Sequence, residues 1–176
     1  MPDSGPDFRL DGKVALVTAC GQGIGRASAL ALAQAGADVA LGLRNASRDG
    51  DALRNEIEAL GRRALPLPMD MTNIGQIRQA VADAVAHFGK IDILVNNAGI
   101  GAPNPAEAVT ESDFDDTVAV NLKGTFFTSQ EVGRHMIARG AGGRIINIGS
   151  QAGTIALPSA GTSPTQAPLP RRASSC

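Results

Sequence analysis

Aromatic residues and cysteine are scarce in this sequence, which has no tryptophan, no tyrosine, five phenylalanines and two cysteines. Cys20 lies in a glycine-rich segment and Cys176 is the last residue, so the two provide neither a disulfide framework nor a metal-ligand spacing. We therefore expect no metal site, and reduced thiols of the kind found in a reducing compartment.

An excess of charge of either sign is also absent, because 16 Lys and Arg residues offset 17 Asp and Glu residues to a net charge of -1. This balance gives no electrostatic reason to expect nucleic acid or an anionic membrane as a partner. No apolar run approaches the roughly 20 residues of a membrane span, and Met1 to Leu10 lacks the apolar region of a signal peptide. These absences predict a cytoplasmic protein.

The apolar residues that are present form short runs without polar alternation, separated by helical patterns. Such runs suit strands buried on both faces, as in a parallel sheet. The runs are Val14–Val17, Val39–Leu43, Ile91–Val95 and Ile145–Ile148, and the last helical pattern carries Phe114, Val118, Leu122, Thr125 and Val132. The alternation predicts one α/β domain with a doubly wound parallel sheet.

Two prolines indicate the position of the remaining strand. In "ALPLPMD", Pro66 and Pro68 are two residues apart, so their missing N–H groups face the same side in the plane of the sheet. That side can have no partner, and this third strand must therefore be an edge. Strand 3 is the edge in the order 3-2-1-4-5 of a Rossmann-type dinucleotide-binding sheet.

Candidate site residues follow the predicted strands. "VTACGQGIGRA", Val17 to Ala27, ends the first strand and opens a helix, and its glycines would let backbone N–H groups approach a pyrophosphate. A tight turn without a ligand would need the same glycines. Asp70, "NNAG" at Asn96 to Gly99, and Ser150 follow the next strands at the same edge, where open α/β sheets bind ligands.

Taken together, "TACGQGIG", "MDMT", "NNAG", "VNLKG" and "GRIINIGSQAG" resemble the short-chain dehydrogenase/reductase family, in order and spacing, from about Leu10 to Pro158. The likeness leans towards gluconate 5-dehydrogenase-like and 3-oxoacyl-carrier-protein reductase-like members. It implies hydride transfer between a nicotinamide and a carbonyl or alcohol carbon of a small molecule. Ala19 stands where the family has a glycine, so its methyl group would crowd the turn.

The resemblance also implies roles for individual residues. Asn121 would support a water relay to a catalytic lysine, and Ser150 would hydrogen-bond the substrate oxygen. Asp70 would meet the adenine amino group. The cofactor-binding residues that it implies are Thr18, Gly21, Gln22, Gly23, Ile24, Gly25, Asp70, Met71, Asn97, Ala98 and Gly99.

Cofactor preference can be predicted from the end of the second strand. Sites that prefer NAD carry an acid there, which accepts a hydrogen bond from the ribose 2′-hydroxyl. Here the position is Leu43, followed by Arg44 and, four residues later, Arg48. Because arginine can bind a phosphate with two hydrogen bonds, NADP(H) is favoured over NAD(H), with Arg44 as a ligand. Alternatively, both arginines are solvated loop residues.

The last residues depart from the family. Its catalytic tyrosine and lysine would fall at Ser163 and Ala167, and the chain contains no tyrosine. A phenol titrates near neutrality only beside a cation, so serine is no substitute. From Ser163 to Cys176 the chain has three prolines and little to bury, which predicts disorder. The predicted organisation is an incomplete dinucleotide-binding domain over 1–162 and a tail over 163–176.

Three hypotheses follow from the missing dyad. The chain is a short-chain oxidoreductase by descent that is inactive as written, or a nucleotide-binding pseudoenzyme or interaction module, or a non-functional frameshifted product. In each case the sheet would end at the fifth strand, whose open edge we expect to support self-association.

Overall fold

The computed structural model describes residues 7–101 and 104–150. Five parallel strands form one sheet in the order β3-β2-β1-β4-β5, which confirms the predicted topology. The strands are β1 Val14–Thr18, β2 Asp38–Leu43, β3 Ala64–Pro68, β4 Ile93–Asn96 and β5 Arg144–Asn147. The predicted boundary at residue 162 and the predicted tail lie outside the described residues.

Helices connect the strands and cover both faces of the sheet. They are α1 Gly23–Gln34, α2 Ala46–Ala59, α3 Ile74–Phe88, α4 Glu111–Val118 and α5 Thr125–Arg139, with a 3₁₀ turn at Ala106–Ala108 and a π-helical turn at Ala119–Gly124 that joins α4 to α5. None of the helices in the described ranges is long and apolar enough to cross a bilayer.

The core lies in two layers on either side of the central strand β1, all of whose residues are buried. Val14 and Leu16 pack into the layer under α3 and α5. Ala15 and Val17 point the other way, into the layer under α1 and α2. This alternation places apolar side chains on both faces of the strand, as its uninterrupted apolar run predicts.

The backbone pairing of β3 explains how it tolerates two prolines. The Met69 N–H donates to Leu43 O at 2.8 Å, and Arg63 O accepts from the Val39 N–H at 2.9 Å. Odd-numbered residues of the strand therefore bond to β2, so the nitrogens of Pro66 and Pro68 face outward at the edge of the sheet.

The burial of the α4–α5 helix differs from the predicted pattern. Phe114 is 49% exposed and Leu122 is 66% exposed. The side that packs on the protein instead carries Thr117, Gly124, Thr128, Val132 and Met136. Small residues allow close packing there: a Cβ at Gly124 would lie 2.5 Å from Met71 O. The π-helical turn also shifts the faces of the helix, which a uniform 3.6-residue period does not represent.

Two strand bounds also differ slightly from the apolar runs. β4 begins at Ile93 rather than Ile91. The Ile91 N–H donates to Nε2 of His135, 3.2 Å away, instead of to a neighbouring strand. β5 runs from Arg144 to Asn147, one residue earlier than predicted.

Candidate functional site

The glycine loop after β1 leaves the start of α1 open. Gln22, which precedes the helix, makes no side-chain capping bond, so the first backbone N–H groups of α1 are not bonded by a cap. Gly23 has φ +55, and a Cβ at Gly25 would lie 2.6 Å from Ala19 O and overlap the Asn97 amide. These glycines allow the loop to fold tightly before an uncapped, electropositive helix end, which is a suitable anion-binding site.

A buried threonine fixes this loop to the segment that follows β4. Thr18 Oγ1 accepts from the backbone N–H groups of Asn97 and Ala98, both at 3.0 Å. In return, Asn97 Nδ2 donates to the carbonyl oxygens of Thr18 and Ala19 at 3.1 and 3.2 Å. Thr18 and Asn97 therefore hold the glycine loop and the loop after β4 in a fixed position relative to each other.

A cleft of about 580 Å³ lies along the carboxyl edge of the sheet, between these loops and the loops after β2 and β3. Seven of the predicted cofactor residues line it: Gly21, Gln22, Arg44, Asp70, Met71, Ala98 and Gly99. The other five do not reach its wall. Thr18 and Gly25 are buried behind it, Asn97 is bonded to the glycine loop, and Gly23 and Ile24 are exposed at the start of α1.

Asp70 presents a carboxylate to this cleft with one oxygen already bonded. Its Oδ1 accepts from the backbone N–H and the hydroxyl of Thr72, at 2.8 and 2.7 Å. Among the described residues, Oδ2 has no hydrogen-bond donor. The side chain is thus fixed in orientation, and one acceptor remains for a ligand N–H.

The loop after β2 contributes charge of both signs. The last residue of β2 is Leu43, whose side chain is buried, and the end of the strand therefore carries no acid, as the sequence indicates. Within the described ranges no hydrogen bond or ion pair engages the Arg44 guanidinium. Arg48 instead binds Asp49, with Nε 2.7 Å from Oδ1 and Nη2 3.2 Å from Oδ2. All three charged side chains line the cleft.

Sequence reasoning missed Asp49, which no motif of the resembled family marks. A local signal was available, because Asn45 caps α2 by accepting from the Arg48 N–H, and an acid in the next positions is typical of a helix start. Asp116 and Val120, on the α4 side of the cleft, were also missed.

Neither of the two predicted catalytic residues is among those that line the cleft. Asn121 is in the π-helical turn, where Nδ2 donates to Ile100 O at 2.8 Å and Oδ1 accepts from the Ile100 N–H at 2.9 Å. Its side chain therefore positions the loop that follows β4. Ser150 lies three residues beyond β5, at the same edge of the sheet. The predicted water relay and the predicted contact of Ser150 with substrate stay predictions.

The other reactive side chains have structural surroundings. Cys20 is buried beneath the glycine loop, and burial raises the pKa of its thiol to about 12, so it is not a nucleophile near neutrality. His135 accepts from the Ile91 N–H. Within residues 7–101 and 104–150, no group of three or more His, Cys, Asp or Glu side chains could hold a metal ion.

Residues 13–162 match the short chain dehydrogenase family. The chain belongs to this family. It is 47% identical over 143 residues to 2-dehydro-3-deoxy-D-gluconate 5-dehydrogenase of Escherichia coli, an alignment that covers 81% of this chain and 55% of that enzyme. The chain thus spans about half the length of the curated relatives that it matches.

Solved structures of the short chain dehydrogenase family have the same fold. A short chain dehydrogenase from Burkholderia cenocepacia in complex with NADP superimposes with a TM-score of 0.81 at 41% identity, covering 86% of this chain and 61% of that one. A 7α-hydroxysteroid dehydrogenase complexed with NADH gives 0.79 at 36% identity, covering 85% and 57%. Relatives of this chain therefore include proteins solved with either cofactor.

Proposed function

We propose that this chain binds a pyridine dinucleotide in the cleft at the carboxyl edge of its sheet, as part of an oxidoreductase that acts on a small carbonyl or alcohol substrate. One observation carries the proposal: the glycine loop before an uncapped helix, the half-bonded Asp70 carboxylate and the Ala98–Gly99 backbone converge on a single cleft. A bound nicotinamide would supply the hydride acceptor or donor.

Each wall of the cleft suits one part of such a ligand. Gly21 and Gln22, at the start of α1, would hold the pyrophosphate with backbone N–H groups. Asp70 Oδ2 would accept from the adenine amino group, and Ala98 and Gly99 would line the ribose. Arg44 would pair with a 2′-phosphate, because no carboxylate stands at Leu43 to repel it. We therefore propose NADP(H) as the preferred cofactor. We also propose the cytoplasm as the location, where a nearly neutral chain with reduced thiols would fit.

The absence of tyrosine supports a second candidate function. The family's proton transfer needs a phenol, and the 176 residues contain none. Asn121 and Ser150 offer no acid or base of comparable strength, since an amide and a hydroxyl do not titrate near neutrality. We therefore propose that the chain as given binds dinucleotide without turning over substrate. In that respect it would act as a nucleotide-binding pseudoenzyme.

Fluorescence titration with NADPH tests binding directly, because a chain without tryptophan or tyrosine adds little emission of its own. The decisive variant is Asp70→Asn, which retains an oxygen for Thr72 and replaces the free acceptor by a donor. Loss of a hydrogen bond to a charged group predicts roughly tenfold to hundredfold weaker binding. Asp51→Asn, on the outer surface of α2, is the matched control and should bind as the parent does.

Failure of the parent chain to bind NADPH, or equal loss of affinity in both variants, would refute the proposed cleft. Turnover is tested separately by following NADPH oxidation with a panel of ketones. We expect none. Measurable oxidation that Ser150→Ala abolishes would contradict the proposed lack of activity and support Ser150 as a catalytic residue.

A further inference from the structure

We propose that Asp49 is a specificity-determining residue of the cleft, which holds Arg48 away from a cofactor 2′-phosphate and so limits the preference for NADP(H) over NAD(H). This inference rests on the proposed function, because it assumes that a dinucleotide ribose lies beside the loop after β2. NAD-specific sites carry their acid at the end of that strand, which here is Leu43. Asp49 lies six residues farther along the chain.

The packing of α2 on the glycine loop brings Asp49 into the cleft. It lies in the first turn of the helix, where its N–H donates to Asn45 O at 3.1 Å. Its side chain packs against the glycine loop: a Cβ placed on Gly21 would be 3.3 Å from Asp49 Cβ. The carboxylate thus stands at the junction of the pyrophosphate-binding loop and the ribose-binding loop.

The charged side chains at this junction are of both signs, whereas a site specific for a phosphate would carry positive charges alone. Arg48 meets both oxygens of Asp49 with Nε and Nη2, an arrangement that occupies one of the two edges with which a guanidinium can bind a phosphate and neutralises its charge. Arg44 remains as the cation that no hydrogen bond or ion pair of the described chain engages. Two positive charges and one negative charge therefore surround the ribose position, rather than two positive charges alone.

The same carboxylate affects the two cofactors in opposite ways. A 2′-phosphate would have to draw Arg48 away from Asp49, which leaves the carboxylate uncompensated beside it, or bind next to an Arg48 whose charge Asp49 already neutralises. A 2′-hydroxyl could donate a hydrogen bond to Asp49 instead. The hydrogen bonds and charge of Arg48, with a further contribution from Arg44, lower the pKa of Asp49, so the group is ionised when either cofactor binds near neutrality.

The test measures the affinities of the full chain for NADP⁺ and NAD⁺ by titration calorimetry, with Asp49→Asn as the variant. Removal of one charge a few ångströms from a phosphate predicts about tenfold tighter binding of NADP⁺. Binding of NAD⁺ should stay equal or weaken. Asp51→Asn removes the same charge two residues away on the outer side of α2 and should leave both affinities unchanged.

A second variant separates release of Arg48 from a general charge effect. In Asp49→Asn/Arg48→Ala, the gain for NADP⁺ should disappear, because the released guanidinium is absent. The inference is overturned if Asp49→Asn leaves the ratio of the two affinities unchanged, or if Asp51→Asn shifts it as much. Failure of the parent chain and every variant to bind either dinucleotide would refute the proposed function itself.

Discussion

Ala19 is the non-glycine residue with positive φ in the described chain, at φ +52 in the turn after β1. A residue with a Cβ in this left-handed region costs about 1–2 kcal/mol of stability. Glycine avoids this strain, but it loses more conformational entropy than alanine on folding, which offsets part of the gain. We expect Ala19→Gly to raise the free energy of unfolding by about 1 kcal/mol. Urea unfolding followed by circular dichroism measures it.

Ala52→Gly is the matched control for this substitution, because Ala52 is exposed in the interior of α2, where alanine is favoured. The same change should lower stability there by about 1 kcal/mol. If Ala19→Gly destabilises the protein to the same extent, the turn is not strained by alanine.

Individual site residues could be predicted from the sequence when they directly follow a strand. Asp70 and Gly99 line the cleft, because the carboxyl ends of parallel strands share one edge, and their contact with a cofactor stays a prediction. Asp49 was not predicted, because its approach to Gly21 depends on how α2 docks. Thr18 was predicted as a cofactor ligand, but the structure buries its hydroxyl between two loops, a use of the side chain that no local pattern indicates.

At the scale of elements, the edge position of β3 could be inferred from backbone chemistry alone, since Pro66 and Pro68 cannot donate to a second neighbour. The full strand order came from the Rossmann-type pattern, in which strand 3 is the edge. The buried face of α4–α5 could not be inferred from the sequence. It is defined by small residues such as Gly124 and Thr128 rather than by large apolar ones, and the π-helical turn breaks the period. Hydrophobicity therefore pointed to Phe114 and Leu122, which are exposed.

Asp92 joins several elements at the opposite end of the sheet from the cleft. Its Oδ2 accepts from the Val14 N–H at 3.0 Å and lies 3.3 Å from Lys90 Nζ, and its Oδ1 lies 2.9 Å from Nη2 of Arg139 at the end of α5. Burial acts to raise the pKa of this carboxyl, but the Val14 N–H, Lys90 and Arg139 outweigh it and lower the pKa.

This lowered pKa gives a prediction with a definite sign. A depressed folded-state pKa stabilises the protein above the unfolded value of about 3.9 and loses that contribution as the pH falls through the folded value. Asp92→Asn should therefore be less stable than the parent at pH 7, and the difference should narrow below about pH 4. Urea unfolding at both pH values measures it. A difference that is constant with pH would contradict the assignment.

At the scale of the whole molecule, the described sheet has two edge strands: β3, whose outer side carries the nitrogens of Pro66 and Pro68, and β5, whose outer backbone groups are unpaired. β5 bonds to β4 through four residue pairs, from Ile93–Arg144 to Asn96–Asn147. Ile145, Ile146 and Ile148 are 40%, 45% and 41% exposed. A short apolar strand with unpaired backbone groups is a template for another strand, and lysine on an edge opposes such pairing.

We therefore propose that copies of this chain associate through β5, and that Ile146→Lys reduces the association. Because Ile146 is nearly half exposed, the substitution should leave the melting temperature close to that of the parent, while the mass measured by light scattering at high concentration falls. Ile137→Lys is the control, since Ile137 is 81% exposed on α5, away from the strand. A parent chain that is monomeric at every concentration, or a loss of association in Ile137→Lys rather than Ile146→Lys, would show that β5 is not the contact. A large loss of stability in Ile146→Lys would show that this strand is covered within one molecule.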